Sequence, residues 1–153
     1  MTIVHAQRTV RVTKRFSFEM AHALHGHDGD CAGIHGHSYV LDITLRGVPS
    51  EQGGDPKNGM VIDFADLKVI VQRAVLDHYD HALVLHQADS EALRGTQDLW
   101  RRLHFKPWQP TCELLLLDIV ERLSGAFNPN VQLYSARLQE TATSWSEWTA
   151  ADN

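Results

Sequence analysis

Two stretches of the chain alternate apolar and polar residues, and each alternation runs into histidine. In residues 9–22, TVRVTKRFSFEMAH, the residues Val10, Val12, Phe16, Phe18 and Met20 share one parity, and His22 continues it. In residues 35–47, HGHSYVLDITLRG, the apolar parity of Tyr39, Leu41, Ile43 and Leu45 begins with His35 and His37. A strand puts successive side chains on opposite faces, so both stretches are predicted to be strands with one buried face. Three imidazoles then project from the ends of two apolar faces, where polar rings need a polar partner. Residues i and i+2 lie on the same side, so His35 and His37 reach one ion, and Gly36 between them leaves room for close approach. His22 from the neighbouring strand completes a three-histidine site. Three protein ligands with an open fourth position are characteristic of catalytic rather than structural zinc.

The span Met20 to Tyr39 holds five histidines and one cysteine, with His-Gly-His twice. The first copy, His25 and His27, is followed by Asp28-Gly29-Asp30, a turn signal that places it in a loop. Neither parity nor packing fixes those two rings, and they are read as bystanders. Cys31 stands four residues before His35. The residues leave three readings open: a fourth ligand, an acid/base or nucleophile beside the metal, or a small buried side chain. Cys112 sits in the first turn of a predicted helix with no histidine near it, and is read as structural. The two cysteines lie in dissimilar contexts, and no disulfide is expected between them.

At 153 residues the chain is long enough for one domain, 1–153, with a substantial core. A formal charge of −5 argues against a general nucleic-acid binder. Lys14/Arg15 and Arg101/Arg102/Lys106 could still serve a small anionic substrate. No apolar run approaches the roughly 18 residues of a membrane span. The N-terminus, MTIVHAQRTVRV, lacks a signal-peptide core, so a cytoplasmic location is expected.

Beyond a turn-rich loop, Asp63 is a plausible N-cap with Asp66 three residues on. Phe64, Leu67, Val71, Ala74 and His78 then follow helical spacing. A second helix starts at Pro110-Thr111, carries Glu113 in its first turn and ends near Gly125. Two further strands meet between Glu140 and Ser144. The order ββααββ predicts an α+β domain with two helices on one face of an antiparallel sheet. Residues 85–109 are expected to add a hairpin-like excursion.

Two more features carry chemistry. LDHYDHALVL contains Asp77-His78 and Asp80-His81, and an aspartate beside a histidine can orient its ring. His78 fits the buried helical stripe, whereas His81 lies past the helix, and the Asp80/His81 pair is preferred. Glu140 shares parity with Tyr134, Ala136 and Leu138. A carboxylate continuing an apolar face wants an arginine, or a ligand with paired N–H donors.

FSFEMAH, C-AGI-HGH, GMVIDFADLK, DHALVL, QPTCE and LQET stand in the order seen in the 6-pyruvoyltetrahydropterin synthase/6-carboxytetrahydropterin synthase family, which the chain resembles from about Phe16 to Thr141. The resemblance implies a tunnelling fold in which subunits join into an oligomeric barrel, such as a homohexamer, with active sites between subunits. It implies zinc on His22, His35 and His37, a catalytic role for Cys31, Asp80 and His81, and a pterin held by Glu140, with Thr111 and Glu113 lining its pocket. The alternative pair, Asp77/His78, is only three residues away. The three residues between Cys31 and His35 resemble the bacterial 6-carboxytetrahydropterin synthases of queuosine and deazapurine synthesis. They act on a pterin triphosphate, 7,8-dihydroneopterin triphosphate. The implied partners are this small molecule and further copies of the chain, with neither nucleic acid nor membrane. Glu19 and Met20, where small residues are common, and the long segment after Leu85 depart from the family pattern.

Overall fold

The computed structural model describes residues 8–153; Met1 to Gln7, the start of the stretch lacking a signal-peptide core, lie outside the described residues. Strand β1 (Val10–His22) pairs antiparallel with β2 (His35–Gly47) along its whole length. After a loop comes a helical rod made of α1 (Phe64–Val71), a π-turn (Gln72–Leu76) and α2 (Asp77–Tyr79). Strand β3 (Ala82–His86), three short 3-10 turns and β4 (Arg102–Lys106) follow. Helix α3 (Cys112–Leu123) leads into the hairpin β5 (Val131–Thr141) and β6 (Ser144–Thr149).

The six strands form one sheet in the order β4-β3-β1-β2-β5-β6. The predicted antiparallel ββααββ sheet is therefore corrected to a mixed sheet: β1 with β3 and β3 with β4 are parallel. The predicted excursion over 85–109 is likewise no hairpin. It is a crossover, because parallel neighbours cannot be joined by a tight turn. Its 3-10 turns cross the face opposite the helices, and Leu93 and Trp100 pack on Leu83 and Leu85 there. Ala82 and Val84 face the helices instead, which leaves β3 covered on both sides. That accounts for its unbroken apolar run, as parallel strands usually show.

On the helix side, Phe16, Phe18 and Met20 of β1 and Tyr39, Leu41, Ile43 and Leu45 of β2 form the core with both helical elements. Asp63 caps α1, accepting from Ala65 N–H at 2.8 Å, while Asp66 turns to Lys57 at 3.3 Å. The expected buried stripe is correct at Leu67 and Val71, then shifts: Val75 and Tyr79 are buried, not Ala74 and His78. The π-turn is the cause. One extra residue in a turn rotates everything after it by about 100° relative to an unbroken α-helix. Phe64, at the exposed start, lies outside the core. Thr111 caps α3 through Leu114 N–H, and Gly125, at φ 72°, follows its end.

Candidate metal centre and active site

The β1–β2 register sets His22 directly opposite His35, and Met20 opposite His37. Side chains of His22, His35 and His37 converge so that one ligand atom from each lies within 4.8 Å of the others. A Cβ on Gly36 would stand 3.3 Å from the Met20 carbonyl oxygen, so the glycine lets the two strands approach at this point. Backbone carbonyls orient two of the rings. His22 Nδ1–H donates to Pro110 O at 2.6 Å, and His35 Nδ1–H donates to Gly33 O at 2.8 Å. Those bonds select the tautomer in which Nε2 carries a free lone pair, as ligating histidines commonly do.

The Nε2 atoms of His22 and His35 are 3.1 Å apart, and His37 Nε2 is buried without a hydrogen-bond partner. Two lone pairs facing at that distance repel, and an unpartnered buried nitrogen costs about 1–3 kcal/mol. A bound cation removes both penalties, and a three-nitrogen donor set suits zinc. Burial pushes the His22 imidazole pKa down, which favours the neutral form that binds metal.

A cavity of about 430 Å³ opens on this triad and is lined also by Cys31, Thr111, Glu113 and Glu140. Glu140 stands near the end of β5. Its Oε1 accepts from Tyr39 O–H at 3.2 Å and lies 3.6 and 3.8 Å from Nε2 of His22 and His37. Tyr39 is fully buried, and burial together with the Glu140 charge holds its hydroxyl pKa above the usual value, so it remains a donor. By residue pattern alone Tyr39 belongs only to the core. Its parity with His35 and His37, plus a polar tip on an apolar body, is the signal that could have added it.

Cys31 sits half-buried in a 3-10 turn, Asp30–Ala32, at the edge of this cavity. Cys112 is buried, donates its S–H to Leu138 O, and has its thiol pKa raised chiefly by burial. It is poorly placed to act as a thiolate.

Asp80 and His81 occupy the turn into β3, and His81 lines a second cavity, of about 360 Å³, with Glu19, Ser38 and Trp100; His37 borders both. The pair is held from several directions. His81 N–H donates to Glu19 O at 2.7 Å, and Glu19 N–H donates to Asp80 Oδ1 at 3.0 Å. The same Oδ1 lies 3.0 Å from His81 Nδ1, and Arg102 Nη1 donates to Asp80 O at 2.7 Å. Burial alone would push the Asp80 carboxyl pKa up. The bonds from Glu19 and His81, with Arg102 nearby, outweigh it and leave the pKa below its ordinary value. His81 adopts φ 59°, rare for a residue with a Cβ and often found where a side chain is aimed for function.

The neighbouring pair is engaged in packing. Asp77 accepts from Gln72 Nε2 at 2.8 Å. His78 stacks on His104 with ring centroids 3.9 Å apart and accepts from Arg122 at 3.0 Å. His25 and His27 lie in the exposed loop, where His25 Nδ1–H donates to Asp89 at 2.7 Å and His27 Nδ1 accepts from Gly29 N–H.

A family model described as 6-pyruvoyl tetrahydropterin synthase matches residues 11–151. The 6-carboxy-5,6,7,8-tetrahydropterin synthase of Haemophilus influenzae is 38% identical over 90% of this chain and 97% of its own length. The enzyme of the same name from Synechocystis is 34% identical over 87% of this chain and 88% of its own. The structure of Caenorhabditis elegans 6-pyruvoyl tetrahydropterin synthase superposes with a TM-score of 0.67 at 28% identity, covering 94% of this chain and 96% of that one. An uncharacterized Wolinella succinogenes protein shares the fold at a TM-score of 0.73 and 20% identity, over 94% and 99% of the two chains. With the histidine triad at the end of its paired strands and a match running from Arg11 to Ala151, the chain belongs to the 6-pyruvoyltetrahydropterin synthase/6-carboxytetrahydropterin synthase family.

Proposed function

We propose that the protein is a zinc-dependent 6-carboxytetrahydropterin synthase. It converts 7,8-dihydroneopterin triphosphate and one water to 6-carboxytetrahydropterin, acetaldehyde and triphosphate, in queuosine or related deazapurine synthesis in the cytoplasm. The observation that carries the reading is the convergence of three Nε2 atoms, one unpartnered, on a cavity shared with Cys31 and Glu140. The 38% and 34% identical relatives named for this product favour it over the pyruvoyl product.

His22, His35 and His37 would hold the zinc ion, which when bound supplies a Lewis acid to oxygens of the substrate side chain. The Glu140 carboxylate accepts the paired N–H donors of the pterin ring. One of its oxygens is already fixed by Tyr39, so the ring is bound in a single orientation. Thr111 and Glu113 line the same pocket at the start of α3. Cys31, as thiolate, takes a proton from the substrate side chain. His81, its ring held by Asp80, exchanges the second proton.

Cys31 and His81 line different cavities of one chain. In this reading a complete site takes Cys31 from one copy and Asp80–His81 from another, in a homo-oligomeric barrel such as a hexamer. The deciding experiment incubates the protein with 7,8-dihydroneopterin triphosphate, with and without a chelator, and identifies products by mass spectrometry. The carboxy product with acetaldehyde, lost on chelation, is expected. A pyruvoyl product without acetaldehyde would make it a 6-pyruvoyltetrahydropterin synthase, and no turnover would leave a zinc- or pterin-binding protein.

A further inference from the structure

The first His-Gly-His has no place in the metal centre, yet its loop is the one that carries Cys31. Residues 24–33 leave the end of β1 and return to β2, with Leu24 N–H donating to Cys31 O at 2.8 Å across the base. Residues 25–30 of this loop are exposed, and it contains Gly26, Gly29 and Gly33. Few apolar contacts hold such a segment, so its position depends on specific polar ties.

Those ties are concentrated on one residue. The side-chain amide of Gln109 spans the backbone of His25: His25 N–H donates to Gln109 Oε1 at 2.9 Å, and Gln109 Nε2 donates to His25 O at 2.5 Å. This two-point bridge mimics a pair of sheet hydrogen bonds. The next residue, Pro110, gives its carbonyl to His22 Nδ1–H, and Thr111 after it caps α3. A second tie comes from the His25 ring, which donates to Asp89 Oδ1 at 2.7 Å and stacks on His86 with centroids 5.6 Å apart.

We infer that Gln109 is a positioning residue for Cys31. Its amide latches the cysteine loop to the same run of backbone that orients His22, and His25 secures the loop through Asp89. The first His-Gly-His then has a task, to present His25 to this latch, and the task needs no metal. The inference rests on the proposed role of Cys31 as acid/base. A misplacement of about 1 Å at a reacting group can lower rate by about 100-fold, so a loosened loop registers in turnover.

The test compares wild type with Gln109→Ala, Gln109→Glu and Asp89→Ala. Three readouts are taken: kcat and KM, zinc stoichiometry, and the rate at which iodoacetamide alkylates Cys31, followed by peptide mass spectrometry with buried Cys112 as internal reference. For Gln109→Ala the expected result is a loss of kcat of up to about 100-fold with KM changed less than about threefold and zinc unchanged, since the triad is intact. Cys31 should also alkylate several-fold faster. Gln109→Glu keeps the acceptor for His25 N–H and should fall between wild type and Gln109→Ala. Asp89→Ala, at the loop's outer tie, should move the same readouts in the same direction by less. Should Gln109→Ala fold poorly by thermal melting, Asp89→Ala alone must still raise the alkylation rate. Wild-type alkylation in both variants overturns the latch. So does zinc loss in step with kcat, which would place Gln109 in support of His22 instead. Full turnover by Cys31→Ser would refute the acid/base role of the thiol, while the alkylation rates would still decide whether Gln109 holds the loop.

Discussion

His22 and His35 face each other nitrogen to nitrogen, with 3.1 Å between their Nε2 atoms and a backbone carbonyl behind each ring. Removing His35 or His37 is expected to abolish stoichiometric zinc, as measured by elemental analysis of protein prepared with the metal. Removing His25 and His27 together should leave zinc at wild-type level. Zinc lost in the second variant and kept in the first would reverse the ligand assignment.

Arg102 reaches from β4 to the carbonyl of Asp80, and His104 Nε2–H donates to the carbonyl of His78 at 2.8 Å. Together they hold the turn that carries Asp80 and His81. Arg102→Ala is expected to reduce kcat by about 10- to 100-fold through misplacement of the pair, with zinc content unchanged. Its pH–rate profile should shift, because a cation next to Asp80 is gone. Lys at this position keeps the charge but not the planar donor, and should restore part of the rate. Steady-state kinetics across pH separates these outcomes from simple unfolding, which would lower active fraction without moving the profile.

Tyr39→Phe removes the hydroxyl that donates to Glu140. Substrate affinity should fall, with KM raised by roughly five- to tenfold, equivalent to about 1 kcal/mol of lost hydrogen bonding. Calorimetric binding of a non-reactive pterin is the direct measure; unchanged affinity would mean that Tyr39 only fills the core.

Stability should fall on acidification. His78 is pushed down to about 4 by burial first, then by His104, Arg122 and Lys106 around it. The native state thus resists a proton that the unfolded chain accepts near 6.5. Stability from this histidine is fully present above pH 6.5 and is lost as pH falls from there to about 4. Allowing for solvent screening, the loss is about 1–2 kcal/mol. Asp118 adds to it at still lower pH. Burial raises its carboxyl pKa, but bonds from Tyr79 and Arg122 outweigh that and hold it low. Urea denaturation at pH 7 and pH 4.5 checks the slope, and His78→Gln should flatten it.

Much of this site could be read directly from residue order. Alternation in β1 and β2, interrupted at Lys14 and Val40, placed His22, His35 and His37 on one face, because period two leaves no other arrangement once the apolar side is buried. Thr111 as a cap and Glu140 at the end of β5 were legible for similar local reasons. β3 and β4 were not. A four-residue apolar run, Ala82 to Leu85, covered on both faces looks the same in a strand or a buried helix, and the pairing partner of β4 lies across a crossover. Nor does any residue pattern announce a π-turn, so the buried stripe slipped at Ala74 and His78. The separation of Cys31 from His81 depends on which sheet face each turn reaches, a property of the folded sheet rather than of spacing.

The π-turn has a further consequence. From the Asp63 cap to Tyr79 the rod behaves as a ruler with one spare notch: Leu67, Val71, Val75 and Tyr79 recur every fourth residue, a longer step than a regular α-helix takes. The phase in which Tyr79 enters the core also fixes where Asp80 emerges. Exposed positions on the rod, such as Arg73, can change identity at little cost to the turn. Deleting one exposed residue of the π-turn, such as Arg73, would turn it into an ordinary α-turn and keep Val75, Tyr79 and the Asp80–His81 turn in phase, whereas straightening it at full length would present Asp80 and His81 to the sheet about 100° out of phase.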